Sequence, residues 1–141
     1  MDVFSKGKRS QIMSRISGKD TKPEILVRSL LHRMGYRFRV HKKDLPGKPD
    51  ITLPKHKKMI FVHGCFWHGH EDCQRSKRPS TNVEFWNKKI NGNIERDKRN
   101  IHSLENLGWE TLTLWTCEMK NKTVLKNKLI SFMKTNKLEK D

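Results

Sequence analysis

The residues from Ile60 to Cys73 read IFVHGCFWHGHEDC, and they concentrate the reactive groups of this chain. Two cysteines, three histidines and an adjacent Phe66-Trp67 pair fall within fourteen residues. Thiolate and imidazole are the ligands zinc prefers in a closed tetrahedral site. Cys65 and Cys73 bracket the segment, and the third cysteine, Cys117, lies just past an alternating apolar run that ends at Trp115. The spacing predicts a structural zinc site of Cys65, Cys73 and Cys117 with one histidine. His70 is nearer Cys73 and leaves His68 for other work; three unconnected buried thiols are the plain alternative.

A second chemistry is available beside the first. Phosphodiester hydrolysis needs an activated water and relief of negative charge, which Mg²⁺ held by carboxylates and waters commonly supplies. Asp50 follows the turn Leu45-Pro46-Gly47-Lys48-Pro49 and opens a short strand, and His63 ends the next strand. Side chains at adjacent strand ends can converge. In the common nuclease pattern Pro-Asp…(Asp/Glu)-x-Lys, the second strand adds a carboxylate and a lysine. Here that strand reads Ile60-Phe61-Val62-His63, and histidines stand in their place. A histidine serves as a general base near neutral pH. Taken singly, Asp50 reads first as an ordinary turn aspartate, and His63 reads equally well as a hydrogen-bonded structural histidine. Glu24 can add a carboxylate, directly or through a metal-bound water, although a capping box already accounts for it.

The elements that position these groups follow from periodicity. Thr21-Lys22-Pro23-Glu24 is a helix start, with Thr21 as N-cap, Pro23 in the first turn and Glu24 at the capping-box position. Ile25, Leu26, Leu30 and Met34 continue at helical spacing, and Gly35 ends the helix. Tyr36 to Val40, Asp50 to Leu53 and Met59 to Val62 read as strands. Residues 64 to 82 have no clear period and read as a loop ordered by something other than a core. A helix resumes from Val83 to about Leu107 through Trp86, Ile90, Ile94, Ile101 and Leu104, with a weak point at Asn91-Gly92-Asn93. Its spacing places Trp86 in the core. Trp109 to Trp115 is a strand. The tail from Lys120 is a basic amphipathic helix with Val124, Leu125, Leu129 and Phe132 on its apolar face. The order α–β–β–β–α–β–α predicts an α/β fold, a small mixed sheet flanked by helices.

The chain has 141 residues, which predicts one domain over residues 1–141. Lys and Arg number 31 against 15 Asp and Glu, a formal charge of +16. Charge of that size steers a protein to polyanions and favours phosphate contacts. Residues 1 to 20 form a basic arm or a frayed helix, and residues 120 to 141 a second basic segment. Three cysteines cannot all pair within one chain. Neither a signal-peptide core nor an apolar run of about 18 residues is visible. A cytosolic protein with reduced thiols and no membrane contact is expected.

Pro49-Asp50, the run Phe61-Val62-His63-Gly64-Cys65-Phe66-Trp67-His68, Glu84-Phe85-Trp86, Asn93-Ile94-Glu95-Arg96-Asp97 and Leu107-Gly108-Trp109 together resemble the very-short-patch-repair (Vsr) DNA mismatch endonucleases. The resemblance runs in order from about Arg9 to Cys117. It implies a restriction-endonuclease-like fold and nicking of one strand of double-stranded DNA, 5′ to the T of a T:G mismatch. It implies that Asp50 and the main-chain carbonyl of Val62 bind catalytic Mg²⁺, that His68 is the general base, that His63 supports the phosphate or leaving group, and that Glu24 holds metal-bound water. Cys65, His70, Cys73 and Cys117 would hold structural Zn²⁺. Phe66, Trp67 and Trp86 would form an intercalating wedge. Mismatch-repair proteins and a resynthesising DNA polymerase are the further partners implied, with the chain a monomer in the bacterial cytosol. On the residues alone two other readings stay open: a restriction-type nuclease cutting matched DNA, and a zinc-stabilised DNA-binding module without catalysis.

Overall fold

The computed structural model describes residues 21–135. The expected arm at residues 1–20 and the end of the tail, 136–141, lie outside the described residues. Helix α1 (Lys22–Arg33) starts where the sequence predicts: Thr21 Oγ1 accepts from the Glu24 N–H at 3.4 Å, and Gly35, at φ +88°, follows its C-cap. Strands β1 (Arg39–Val40), β2 (Ile51–Leu53) and β3 (Lys58–His63) follow. Helix α2 (Val83–Asn106) crosses over to strand β4 (Glu110–Trp115), and helix α3 (Lys122–Lys134) closes the described chain.

The four strands lie in the order β1-β2-β3-β4. β1 and β2, and β2 and β3, pair antiparallel; β3 and β4 pair parallel. A parallel pair needs a long crossover, and α2 is that crossover. Successive side chains of β3 point to opposite faces. Ile60 joins Val27, Leu30, Leu31, Ile51, Leu53, Leu114, Leu125, Leu129 and Met133, the cluster that α1 and α3 cover. Met59 and Phe61 join Leu104 and Trp109 on the α2 side. The expected α/β architecture, a mixed sheet flanked by helices, is present.

Three local expectations need correction. Tyr36 to Arg39 keeps the alternation of half-buried and exposed residues, but only Arg39 and Val40 pair, because β2 ends at Leu53 and the chain turns away at Pro54–His56, which leaves residues 36–38 without a strand to pair with. α2 runs through Asn91-Gly92-Asn93 without a break: Gly92 has open space around it, and its neighbours carry the helix across the weak residue. In α3 Leu125, Leu129 and Met133 are buried and Phe132 packs against them, whereas Val124 is 56% exposed. The stripe at i, i+4 and i+8 leaves Val124 about 100° off the buried face.

One buried charge ties the last helix to the sheet. Lys58, on β3, donates to the main-chain carbonyls of Phe132 and Thr135 at the end of α3, and Glu110 lies 3.8 Å from its ammonium. A cation at a helix C-terminus meets the unsatisfied carbonyls and the negative end of the helix dipole.

Candidate active site and metal centre

Asp50 is delivered by the antiparallel register of β2 and β3. Ile51 faces Ile60, so one step further back brings Asp50 beside Phe61 and Val62. Its carboxylate accepts the Val62 N–H at 2.7 Å. Burial pushes its pKa up to about 6; the Val62 hydrogen bond opposes this, the charge of Glu24 adds to it, and His68 and Arg28 oppose it. Glu24 is itself buried at the start of α1 and pairs with Arg28 at 3.1 Å. Two carboxylates share a cavity of about 490 Å³ that also takes in Val62, His63, Trp67, His68 and Asp97. Burial beside a like charge is the situation a divalent cation relieves, so Asp50 and Glu24 fit Mg²⁺.

The histidines divide between two places. His68 Nδ1 lies 2.6 Å from Asp97 Oδ2, and His63 Nδ1 lies 3.9 Å from the same oxygen. The His63 and His68 rings stack at 3.8 Å with 7° between their planes. One ligand atom from each of His63, His68 and Asp97 lies within 4.8 Å of the others, so the trio can pass a proton among its members or hold a metal ion. Burial, then the neighbouring His68, lowers the pKa of His63 to about 4, against the pull of Asp97.

His70 goes the other way. The donor atoms of Cys65, His70, Cys73 and Cys117 all lie within 4.8 Å of one another. The parallel register explains how residues so far apart in sequence meet. His63 faces Trp115 where β3 and β4 end, and two residues beyond each strand come Cys65 and Cys117. Cys117 Sγ is 3.5 Å from His70 Nδ1, and Cys65 Sγ is 3.4 Å from Thr116 Oγ1. Burial works against a thiolate at Cys65, yet hydrogen bonds from Thr116, Cys117 and His70 bring its pKa down to about 7. Burial and the two other thiols then push Cys117 up to about 11. A cation that accepts several thiolates removes this conflict, so the donor set fits Zn²⁺.

Trp115 joins the two centres, nearly perpendicular to the His63 ring at 5.4 Å and stacked on His70 at 4.1 Å. Helix α2 registers the loop between them. Asn93 donates to the Trp67 carbonyl at 2.8 Å, and Arg78 donates to Asn87 and Asn91 at 2.9 Å each. Phe66, Trp67 and Trp86 form one aromatic cluster with ring centroids 5.2, 5.4 and 5.9 Å apart, and Phe85 extends it to the surface at 5.1 Å from Trp86. Trp86 is half-buried in this cluster, outside the core its spacing predicts. α2 turns that end of its stripe to the loop instead of the sheet.

Residue-by-residue reading missed Asp97, Trp115 and Phe85 as site members. Asp97 had a signal: it occupies one place in the α2 stripe Trp86, Ile90, Ile94, Ile101 and Leu104. A carboxylate in an apolar stripe needs a partner.

With this geometry, comparison with known proteins decides the lineage. Residues 1–75 match the family model described as DNA mismatch endonuclease Vsr. The DNA mismatch endonuclease Vsr of Escherichia coli K12 is 42% identical over 130 residues, 92% of this chain and 83% of that protein. This chain belongs to the Vsr family. Type II nicking enzyme V.NmeAIP of Neisseria meningitidis serogroup A is 45% identical over 128 residues, 91% of each chain. V.XorIIP of Xanthomonas oryzae pv. oryzae is 44% identical over 128 residues, 91% of this chain and 93% of that protein. As a Vsr-family protein the chain is a DNA endonuclease, a hydrolase whose partner is DNA.

Proposed function

We propose that this Vsr-family chain nicks one strand of double-stranded DNA 5′ to the T of a T:G mismatch and so starts very short patch repair of deaminated 5-methylcytosine. A shared wall carries the reading. Trp67, 49% exposed and packed with Phe66 and Trp86, lines the same cavity as Asp50 and His68. A ring able to enter the base stack thus stands beside groups able to hydrolyse a phosphodiester. A mismatched pair costs less to unstack, so a wedge selects it through deformation energy as well as hydrogen bonds.

Asp50 and the main-chain carbonyl of Val62 would hold Mg²⁺, with Glu24 holding a metal-bound water. Mg²⁺ supplies charge neutralisation at the phosphate and a more acidic water. His68 takes the proton of the attacking water at Nε2, because Asp97 engages Nδ1 at 2.6 Å. His63, buried against it, supports the phosphate or the leaving group. Cys65, His70, Cys73 and Cys117 would hold structural Zn²⁺, fixing the loop between wedge and histidines.

The mixed sheet with Asp50 at the head of β2 suits a restriction-endonuclease-like fold, one domain over residues 1–141 acting as a monomer on an asymmetric lesion. Among the described residues no helix is long and apolar enough to cross a membrane. We place the chain with bacterial DNA in the cytosol, handing its nick to mismatch-repair proteins and a polymerase. The test is nicking of end-labelled duplexes with Mg²⁺, comparing T:G with T:A and C:G. Selective cutting of T:G is expected. Equal cutting of matched DNA supports a restriction-type nuclease instead, and binding without cutting supports a DNA-binding module.

A further inference from the structure

The turn that leads into Asp50 carries an unusual backbone. Gly47 lies at φ +76° and Lys48 at φ +47°, two left-handed residues in succession. For Lys48 this is unfavourable twice over. An L side chain disfavours the left-handed region, and the residue before a proline favours extended backbone. Such conformations persist where the surroundings over-determine them, and they collect at functional sites. The surroundings here do so. A Cβ on Gly47 would meet Asn100 Cβ at 3.0 Å and Phe61 Cε1 at 3.2 Å, so α2 and β3 press on the turn together. The Lys48 N–H donates to the Leu45 carbonyl at 3.2 Å, and Pro49 behind it is buried.

This strained turn presents an exposed lysine at the cavity of Asp50, His63 and Asp97. Pro49 is the only residue between Lys48 and Asp50, so the two are rigidly related. Among the described residues the Lys48 ammonium has no hydrogen-bond or ion-pair partner. Lys58, the lysine of β3, is buried and held by the end of α3, and where Pro-Asp…(Asp/Glu)-x-Lys nucleases carry a lysine on that strand, Phe61-Val62-His63 offers no ammonium.

We propose that Lys48 takes that lysine's place from the turn, its ammonium contacting the scissile phosphate and offsetting the charge that grows on the phosphoryl oxygens. The inference rests on the endonuclease reading above. In the step it serves, the bond from water oxygen to phosphorus forms, the bond from phosphorus to the leaving oxygen breaks, the water proton goes to His68, and the leaving oxygen takes a proton from solvent. Lys48 exchanges no atom; it contributes charge.

Lys48→Met and Lys48→Arg test this, because both keep the β- and γ-carbons and therefore the same backbone strain. Two quantities are measured: single-turnover nicking of a T:G duplex with Mg²⁺, and binding of that duplex without Mg²⁺ over a range of NaCl. The methionine variant should nick roughly 100-fold more slowly. Its plot of log affinity against log salt should be shallower by about 0.9, the loss of one phosphate contact. The arginine variant should recover the slope and most of the rate, and both should melt as wild type does. Wild-type rate and slope in Lys48→Met would overturn the proposal, as would equal losses in both variants with a lowered melting temperature. If wild-type protein binds but nicks no duplex, the endonuclease reading falls and the catalytic role of Lys48 with it. The salt slope then still reports whether Lys48 meets a phosphate.

Discussion

His68 Nδ1 lies 2.6 Å from Asp97 Oδ2, across 29 residues of sequence and between a loop and a helix. The contact fixes the orientation of the imidazole and leaves Nε2 free. Asp97→Asn keeps the shape and removes the charge. Nicking should fall by about 10²- to 10⁴-fold, with duplex binding changed far less. The double variant with His68→Ala should be no slower than His68→Ala alone, since the two residues act as a unit. Single-turnover rates on a T:G duplex measure both effects, and additive losses would show that they act separately.

His63 and Asp50 should shift stability with pH in opposite directions when Mg²⁺ is absent. Burial holds the pKa of folded His63 near 4, below the ordinary 6.5. Between those values the unfolded chain binds more protons, so this group removes stability as pH falls through the window. Burial raises the pKa of Asp50 from 3.8 to about 6. There the folded chain holds the extra proton, and stability increases as pH falls from 6 towards 3.8. Relative to wild type, His63→Gln should therefore be favoured at the acid end and Asp50→Asn at the neutral end. Urea melts between pH 4 and 7 measure the differences; parallel curves for all three proteins would contradict the assignment.

Cys117 reaches its site from just past the end of β4, the neighbour of β3. Cys117→Ser should lose bound zinc and cost roughly 3 kcal/mol or more, a fall of about 10 °C in melting temperature. Metal analysis of purified wild-type protein should find about one zinc per chain. A chelator should bring wild type down to the variant's melting temperature and leave the variant unmoved. A metal-free wild type of unchanged stability would remove the zinc site.

Gly69, at φ +59° between His68 and His70, lets the loop approach α2. A Cβ there would lie 2.5 Å from Ile94 Cδ1 and 3.1 Å from Ile90 Cγ2. Gly69→Ala should destabilise by roughly 1–3 kcal/mol, through the clash and the left-handed backbone together. Adding Ile94→Val removes the closest atom and should return part of that loss. Thermal melts of the single and double variants check this, and no recovery would assign the whole effect to the backbone.

Trp67 contributes half-exposed ring area at the cavity rim. Trp67→Ala should lower the preference for T:G over T:A by roughly 5- to 150-fold, as expected for about 1–3 kcal/mol of base stacking. Competition binding with matched and mismatched duplexes reads this directly. A uniform loss on all DNA would make Trp67 structural.

Much of this was legible in the chain itself. Thr21-Lys22-Pro23-Glu24 marked the start of α1, because a cap and a first-turn proline act locally. The period of Ile90, Ile94, Ile101 and Leu104 marked α2, and the alternation up to Trp115 marked β4. The same local chemistry placed Asp50 after a turn, His63 at a strand end and His68 and His70 on the loop that follows, and the GCFWH block with its flanking motifs pointed to the family. Period alone misplaced Trp86 and Val124, because it reports a helix face and is silent on what that face meets.

The sequence by itself therefore determined the elements, their order, the donor types and the family. Tertiary structure decided which donors meet. His68 and His70 are chemically alike and two residues apart, yet one faces Asp97 and the other faces Cys117. The reason is that each partner arrives on a different element: α2 brings Asp97, and the parallel register of β3 with β4 brings Cys117 beside Cys65. Register and helix docking are long-range relationships, set by how whole faces bury together, and no residue's neighbours along the chain record them.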